Sequence, residues 1–145
     1  MNEEKYSSLR LQNQLCFPIY AASREIIKRY RPYLSALDLT YTQYIVMMVF
    51  WEEGKTNVKA LGERLYLDSG TLTPVLKNLE AKGYVHRVRS QEDERVLLVE
   101  LTDEGRALRD RALSVPENMA QCVHLEPEEA GTLYRLLYKL LGGLE

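Results

Sequence analysis

The stretch from Tyr66 to Arg95 constrains the fold of this chain more than any other part of it. It reads as a short helix with a polar outer face, a stop at Gly83, and two strands around the turn SQEDER. A preceding helix beginning near Val58, joined by only a few residues, completes a helix-turn-helix pattern. A helix followed by a basic hairpin can contact a DNA groove and the adjacent backbone together. The sequence therefore predicts a winged helix-turn-helix that binds DNA.

The totals of the chain permit this interpretation. Its 145 residues suit one domain, over residues 1–145, with its own core. No apolar run reaches the roughly 18–20 residues of a membrane span, and no signal peptide is recognised, so we expect a cytoplasmic protein that does not contact a membrane. The net charge of -2 argues weakly against nucleic-acid binding but does not exclude it, because local charge placement decides. Two cysteines without a CxxC motif or a histidine cluster predict no metal and no cofactor.

Further helices flank the predicted DNA-binding region. Apolar residues at spacings of three or four predict a long first helix over residues 9–34, in which Pro18 should cause a bend. Thr40 is a predicted N-cap of a second helix that ends at Gly54, and Thr102 caps a fifth. The predicted fold class is mainly α with a small β-hairpin wing.

The helices at the two ends of the chain predict a homodimer. Residues 9–34 and 103–145 carry apolar stripes that a winged helix-turn-helix over about residues 40–102 does not need. Pairing with the same helices of a second copy would bury both stripes, although packing within one chain is the alternative. A two-fold dimer would place two recognition helices about one DNA turn apart, which matches a palindromic operator in double-stranded DNA.

Polar and basic side chains of the predicted recognition helix and wing are the candidates for DNA contact. Hydroxyls and amides can hydrogen-bond to base edges, and arginine is favoured in a narrow minor groove. The candidates are Ser69, Thr71, Thr73, Lys77, Asn78, Arg87, Arg89 and Arg95. Lys82 and His86 are either phosphate contacts or solvated residues.

Several motifs resemble the MarR family of winged-helix regulators. They are LTYTQY (residues 39–44), LDSGTLTPVLKNLEAKGYVHR (residues 67–87), DER (residues 93–95) and LTDEG (residues 101–105). Together with NQLCFPIY (residues 13–20), they resemble its organic-hydroperoxide-sensing branch, the OhrR repressors. The resemblance spans about residues 10–110. It implies a homodimer that represses a peroxidase gene until the cysteine of its N-terminal helix is oxidised.

The resemblance also implies an ion pair between Asp68 and Arg95 that holds the wing against the recognition helix. The simpler interpretation is a surface salt bridge, which would contribute about 1 kcal/mol or less.

Cys16 lies on the apolar stripe of the predicted first helix, where a lone cysteine is usually a small buried hydrophobe. Tyr20 is four residues further on and therefore shares its helix face. Tyr30 and Tyr41 match tyrosines that the family places around the thiolate. Tyr30 lies about 21 Å along a continuous helix from Cys16, so it could reach only the partner's cysteine, across two antiparallel helices.

The expected chemistry is attack of a Cys16 thiolate on the O–O bond of a hydroperoxide, which gives a sulfenic acid. An ordinary cysteine, with a pKa of about 8.5, is only about 3% ionised at pH 7. Phenolic O–H donors would favour the thiolate. The apolar residues Phe17, Ile19, Phe50 and Trp51 would favour an organic hydroperoxide over hydrogen peroxide.

Cys122 is predicted to lie between the last two helices. The OhrR branch contains one-cysteine members, which finish with a small thiol, and two-cysteine members, which form an intersubunit disulfide. Cys122 resembles the resolving cysteine of the second type, and an inert second thiol is the alternative.

Two other functions fit parts of the sequence. A MarR-type regulator could bind an aromatic or acidic small molecule in a pocket lined by Tyr30, Tyr41 and Trp51. A cysteine peroxidase is disfavoured, because no arginine has an evident place beside Cys16 and no further motif suggests reductant docking. We therefore expect no catalytic residues and no enzymatic activity.

Overall fold

A computed structural model describes residues 3–145 and confirms the predicted fold class. Two short 3-10 helices, Glu4–Leu9 and Leu11–Asn13, precede the main fold. The remaining elements in chain order are α1 (Cys16–Ser35), α2 (Tyr41–Glu53), β1 (Lys55–Asn57), α3 (Val58–Leu65), α4 (Ser69–Ala81), β2 (Val85–Arg89), β3 (Leu97–Leu101), α5 (Asp103–Ala112), α6 (Ser114–Ala120) and α7 (Pro127–Gly143).

The centre of the core is α2, whose predicted bounds are confirmed. Thr40 and Gln43 form a reciprocal capping box at its N-terminus, which satisfies N–H groups that the helix cannot bond internally. Gly54 ends the helix with a φ of 76°, a conformation that favours glycine. Val46, Met47 and Phe50 are fully buried, as the nearly all-apolar composition of this segment predicts.

The sheet has three antiparallel strands in the order β1-β3-β2. The β2–β3 hairpin is the predicted wing, with Arg87 opposite Val99. The third strand, Lys55–Asn57, was not predicted from the sequence; it pairs with β3 and places Thr56 opposite Val99. A three-residue strand is too short to show the period of two by which strands are recognised.

The first helix begins later than predicted. It starts at Cys16 rather than at residue 9, and Pro18 falls in its first turn. Pro18 therefore removes no internal hydrogen bond and causes no bend, since N–H groups of the first turn have no helical partner. Pro32 lies within the last turn, and α1 nevertheless continues to Ser35.

The junction between the wing and α5 is closely packed. Thr102 caps α5, as predicted, by accepting a hydrogen bond from the Gly105 N–H at 3.0 Å. The Gly105 carbonyl accepts a hydrogen bond from Trp51 Nε1 at 2.8 Å. A β-carbon at Gly105 would overlap the carbonyl oxygen of Tyr84 and lie 2.7 Å from Leu101 Cδ1. Only glycine therefore allows α5 to approach the start of the wing this closely.

The last helix, α7, leaves its apolar stripe open. None of its residues is buried, and Leu133, Leu136 and Leu140 are each 40–47% exposed. Tyr134 and Tyr138 are exposed beside this stripe, with ring centroids 4.8 Å apart. No helix among residues 3–145 is long and apolar enough to cross a membrane.

Candidate DNA-binding and redox site

The recognition helix α4 presents the polar face that its sequence predicts. Leu72, Leu76 and Leu79 are buried against the core. The exposed side is polar and carries Ser69, Thr71, Thr73 and Lys77.

Asp68 is the N-cap of α4. Its Oδ1 accepts a hydrogen bond from the Thr71 N–H at 2.6 Å. The hydrogen bonds from Thr71 lower the pKa of the Asp68 carboxyl below its ordinary value. The Thr73 hydroxyl donates to the Ser69 carbonyl at 2.7 Å, so its oxygen remains open to solvent as an acceptor.

Several predicted DNA contacts bond within the chain. The Asn78 Oδ1 accepts a hydrogen bond from Gln43 Nε2 at 2.9 Å. Arg87 Nε lies 3.3 Å from a carboxylate oxygen of Glu80.

Lys82, predicted as a phosphate contact or a solvated residue, also bonds within the chain. It lies 3.5 Å from a carboxylate oxygen of Asp38 in the α1–α2 turn, and it also donates to the Asp38 carbonyl. Gln43, which forms hydrogen bonds with both Lys82 and Asn78, was not predicted as a site residue. A lone glutamine among the apolar residues of α2 was the signal that could have found it.

The wing turn is stabilised by its own residues. Arg89 donates to the Glu94 carbonyl at 3.0 Å. Arg95 Nε lies 3.1 Å from Asp93 Oδ1, and this contact lowers the pKa of the Asp93 carboxyl. The Arg95 side chain is 90% exposed.

The implied ion pair between Asp68 and Arg95 is not formed in this structure. Asp68 is occupied as the cap of α4, and Asp93, only two residues away in the chain, is the nearer carboxylate for Arg95. Both bonds join residues that are close in the sequence. An ion pair between α4 and the wing would in addition cost the conformational entropy of ordering the exposed wing turn.

Cys16 is the first residue of α1 and is exposed. Its predicted neighbour Tyr20 is 58% exposed, and Arg24 lies over the Tyr20 ring at 5.5 Å from the centroid. Phe50 cannot border the sulfur in this chain, because it is fully buried in the core.

Three tyrosines cluster where α1 crosses α2. Ring centroids are 4.9 Å apart for Tyr30 and Tyr41, and 5.9 Å apart for Tyr30 and Tyr44. Tyr44, which was not predicted as a site residue, extends the cluster to Trp51 at 6.4 Å. Burial raises the pKa of Tyr30, Tyr41 and Tyr44, so each phenol stays protonated at neutral pH and can donate a hydrogen bond.

The continuity of α1 separates Cys16 from this cluster. Cys16 and Tyr30 lie in one unbroken helix, which places them about 21 Å apart along its axis. Within one chain, the structure therefore does not bring Cys16 together with Tyr30.

An apolar groove of about 430 Å³ runs between α1 and α7. Its walls include Ile19 and Ile26 of α1, Tyr41 of α2, and Leu133 and Leu137 of α7.

Cys122 lies just after α6, between the last two helices as predicted. It is half-buried, with its sulfur 3.7 Å from the Asn118 carbonyl. Among residues 3–145, no group of histidine, cysteine and carboxylate side chains could hold a metal ion.

Comparison with known proteins identifies the family. The model of the family "Transcriptional regulator SarA/Rot" matches residues 27–112. The organic hydroperoxide resistance transcriptional regulator of Bacillus subtilis is 45% identical over 96% of this chain and 95% of its own.

Two sets of solved structures have the same fold. Reduced AbfR bound to DNA is 37% identical, covers 98% of this chain and 99% of its own, and superposes with a TM-score of 0.77. AbfR is a protein of Staphylococcus epidermidis. The disulfide form of AbfR, also 37% identical, covers 97% of this chain and 99% of its own and superposes with a TM-score of 0.65. A cysteine-to-serine mutant of Escherichia coli MarR in complex with operator DNA is 31% identical over 88% of this chain and 93% of its own, with a TM-score of 0.81.

These relatives are transcriptional regulators rather than enzymes, in agreement with the prediction from sequence. The residues that match them include the helix-turn-helix, the wing and the N-terminal helix that carries Cys16. The chain belongs to the MarR family of winged-helix transcriptional regulators, in the branch that includes the organic hydroperoxide resistance regulator.

Proposed function

We propose that this protein is a cytoplasmic, homodimeric repressor that leaves its palindromic operator when an organic hydroperoxide oxidises Cys16. Release would derepress a gene for peroxide detoxification. The observation that carries the proposal is the place of Cys16: an exposed thiol on the first turn of the helix whose other end holds the tyrosine cluster. The redox forms in which AbfR has been solved, reduced and disulfide-linked, support a thiol switch in a relative of 37% identity.

Dimerisation is supported by the open faces of α1 and α7. Phe17 and Tyr20 on α1 are 42% and 58% exposed, and Leu136 and Leu140 on α7 are 47% and 40% exposed. Two copies that paired these faces would remove several large apolar side chains from water, at about 25 cal/mol for each Å² buried. Such a dimer would also present two α4 helices to one face of a DNA duplex.

The sensor is then shared between subunits. Tyr30 is too far from its own Cys16, but antiparallel crossing of two α1 helices would carry the Tyr30 and Tyr41 hydroxyls to the partner's sulfur. In that arrangement the phenol hydroxyls would donate hydrogen bonds to the reacting sulfur.

The reaction consumes one hydroperoxide. The thiolate sulfur of Cys16 attacks one peroxide oxygen, the O–O bond breaks, and the other oxygen leaves with its organic group and takes up a proton as the alcohol. The sulfur is oxidised to sulfenic acid and the peroxide is reduced. A sulfenic oxygen no longer fits the phenol donors as the thiolate did, so α1 shifts and the two winged regions lose the spacing of the operator half-sites.

We predict that Cys122 resolves the sulfenic acid. Its thiol would attack the Cys16 sulfur of the partner, release water and form an intersubunit disulfide. Peroxide-treated wild type should run as a linked dimer on nonreducing gels, and Cys122→Ser should run as a monomer that dimedone labels at Cys16. If wild type stays monomeric while Cys16 is oxidised, a small thiol performs this step instead.

We predict that Arg95 contributes to operator binding without stabilising the fold. Arg95→Ala should weaken operator affinity about tenfold or more, because a side chain that is 90% exposed is free to turn from Asp93 into the minor groove. The melting temperature should change by less than about 2 °C, because an exposed pair contributes little to stability. Glu92→Ala, also in the wing turn, is the matched control and should not weaken binding. Unchanged affinity of Arg95→Ala would remove Arg95 from this role.

A second candidate is release by a non-covalent aromatic or acidic ligand. The apolar groove of about 430 Å³ between α1 and α7, which Tyr41 lines, favours an aromatic ligand over an acidic one. A ligand of this kind would release the operator from Cys16→Ser as well as from wild type. Release that requires Cys16 would support the redox switch, and release that occurs without Cys16 would support a non-covalent ligand.

A further inference from the structure

A hydrogen-bonded network centred on Gln43 connects the α1–α2 turn to the recognition helix. Gln43 is only 7% exposed and uses both ends of its amide. Its Nε2 donates to Asn78 Oδ1 on α4 at 2.9 Å. Its Oε1 accepts from the Thr40 N–H at 3.0 Å and from Lys82 Nζ at 3.3 Å. One buried side chain thus links the start of α2, the recognition helix and the residue that follows it.

Lys82 extends this network to the turn that follows α1. Its ammonium group donates to the Asp38 carbonyl and lies 3.5 Å from the Asp38 carboxylate. Asp38 lies in the turn that leaves α1 and has a φ of 54°, which few residues other than glycine adopt. From α5, Arg111 donates to the Ala36 carbonyl in the same turn at 3.0 Å. The position of this turn is therefore fixed by polar contacts to α4 and to α5.

The contact with Gln43 also limits what Asn78 can do. An asparagine that reads adenine uses its amide oxygen and its amide nitrogen together on one base. In this structure the Asn78 oxygen is already bonded to a buried partner. Freeing it would leave the Gln43 amide nitrogen without an acceptor inside the protein, which is unfavourable.

We propose that Gln43 and Asn78 are positioning residues, which set the orientation of α4 relative to the end of α1 without reading bases. This inference rests on the proposed function, because it assumes that α4 enters the DNA. It assigns to Gln43 a role in operator affinity, although the side chain lies behind the recognition helix.

A double-mutant cycle on operator binding tests the pair. The variants are Gln43→Leu, Asn78→Ala and their combination, and the DNA is an operator fragment selected from random sequences by the wild-type protein. Each single variant should lose about tenfold in affinity, and the double variant should lose no more than the worse single one, because both remove the same bond. Lys77→Ala is the matched control on the exposed side of α4, and its loss should add to that of Gln43→Leu.

Operator variants with single base-pair changes provide a second readout, which does not need the Gln43 variant to fold. Asn78→Ala should lower affinity for the whole set by a similar factor and keep the wild-type order of preference. Loss of discrimination at one base pair, or full additivity of Asn78→Ala with Gln43→Leu, would overturn the proposal and make Asn78 a base-reading residue. Failure of the wild-type protein to select any DNA would instead refute the proposed function.

Discussion

Replacing Gly105 by alanine is expected to lower the free energy of unfolding by about 3 kcal/mol. The new methyl group would overlap the Tyr84 carbonyl oxygen and crowd Leu101 Cδ1. The carbonyl belongs to backbone that bonds Thr102, whose N–H donates to it at 3.1 Å, so it cannot move aside alone. Denaturant unfolding followed through Trp51, which donates to the Gly105 carbonyl, measures the loss at the site itself.

Gly131→Ala is the matched control for this substitution. Gly131 lies within α7, and nothing lies within 4 Å of the position that its β-carbon would take. Alanine is favoured over glycine inside a helix, so this variant should unfold at an equal or higher denaturant concentration. Equal stability of Gly105→Ala and wild type would show that α5 does not pack against the wing as closely as the structure has it.

Placing a charge on the apolar stripe of α7 is expected to separate the dimer. Leu140→Glu would bury a carboxylate in the proposed interface, which is strongly unfavourable without a partner. Light scattering at micromolar concentration should show monomers. Operator affinity should fall about a hundredfold or more, because each half-site would then be bound independently.

Arg135→Glu carries a new acid on the same helix, but five residues earlier and therefore well off the stripe. It should remain dimeric and bind the operator as wild type does. A Leu140→Glu protein that is still dimeric and still binds the operator would show that the subunits pair through another surface.

The elements that the sequence predicted well are those that local chemistry determines. Thr40 and Thr102 cap helices because their side-chain oxygens reach N–H groups three residues on. The apolar spacing of Leu72, Leu76 and Leu79 determines which face of α4 is buried.

What the sequence did not predict depends on contacts between distant residues. β1 is a strand only because β3 pairs with it, more than forty residues further along the chain. Gln43 meets Asn78 across 35 positions, and neither residue type indicates such a partner. The start of α1 at Cys16 was misjudged because Pro18 was interpreted as a bend inside a helix that begins at residue 9, whereas a proline in the first turn is favourable.

In the candidate site, too, local periodicity was predictable from the sequence and the choice of ion-pair partners was not. The positions of Ser69, Thr71, Thr73 and Lys77 on an exposed face follow from helix periodicity. The bonds of Arg87 to Glu80 and of Arg95 to Asp93 could not be predicted, because a surface arginine has several carboxylates within reach and the free energies differ little.

The central claim, that oxidation of Cys16 releases the operator, is tested most directly by fluorescence anisotropy of labelled operator DNA. Reduced wild type, Cys16→Ser and Cys122→Ser are each bound to the DNA and then treated with an equimolar amount of cumene hydroperoxide. We expect all three to bind before treatment, wild type to dissociate and regain affinity with dithiothreitol, and Cys16→Ser to stay bound. Cys122→Ser, which keeps the reacting thiol, should still respond to the first oxidation. Dissociation of Cys16→Ser to the same extent as wild type would contradict the account.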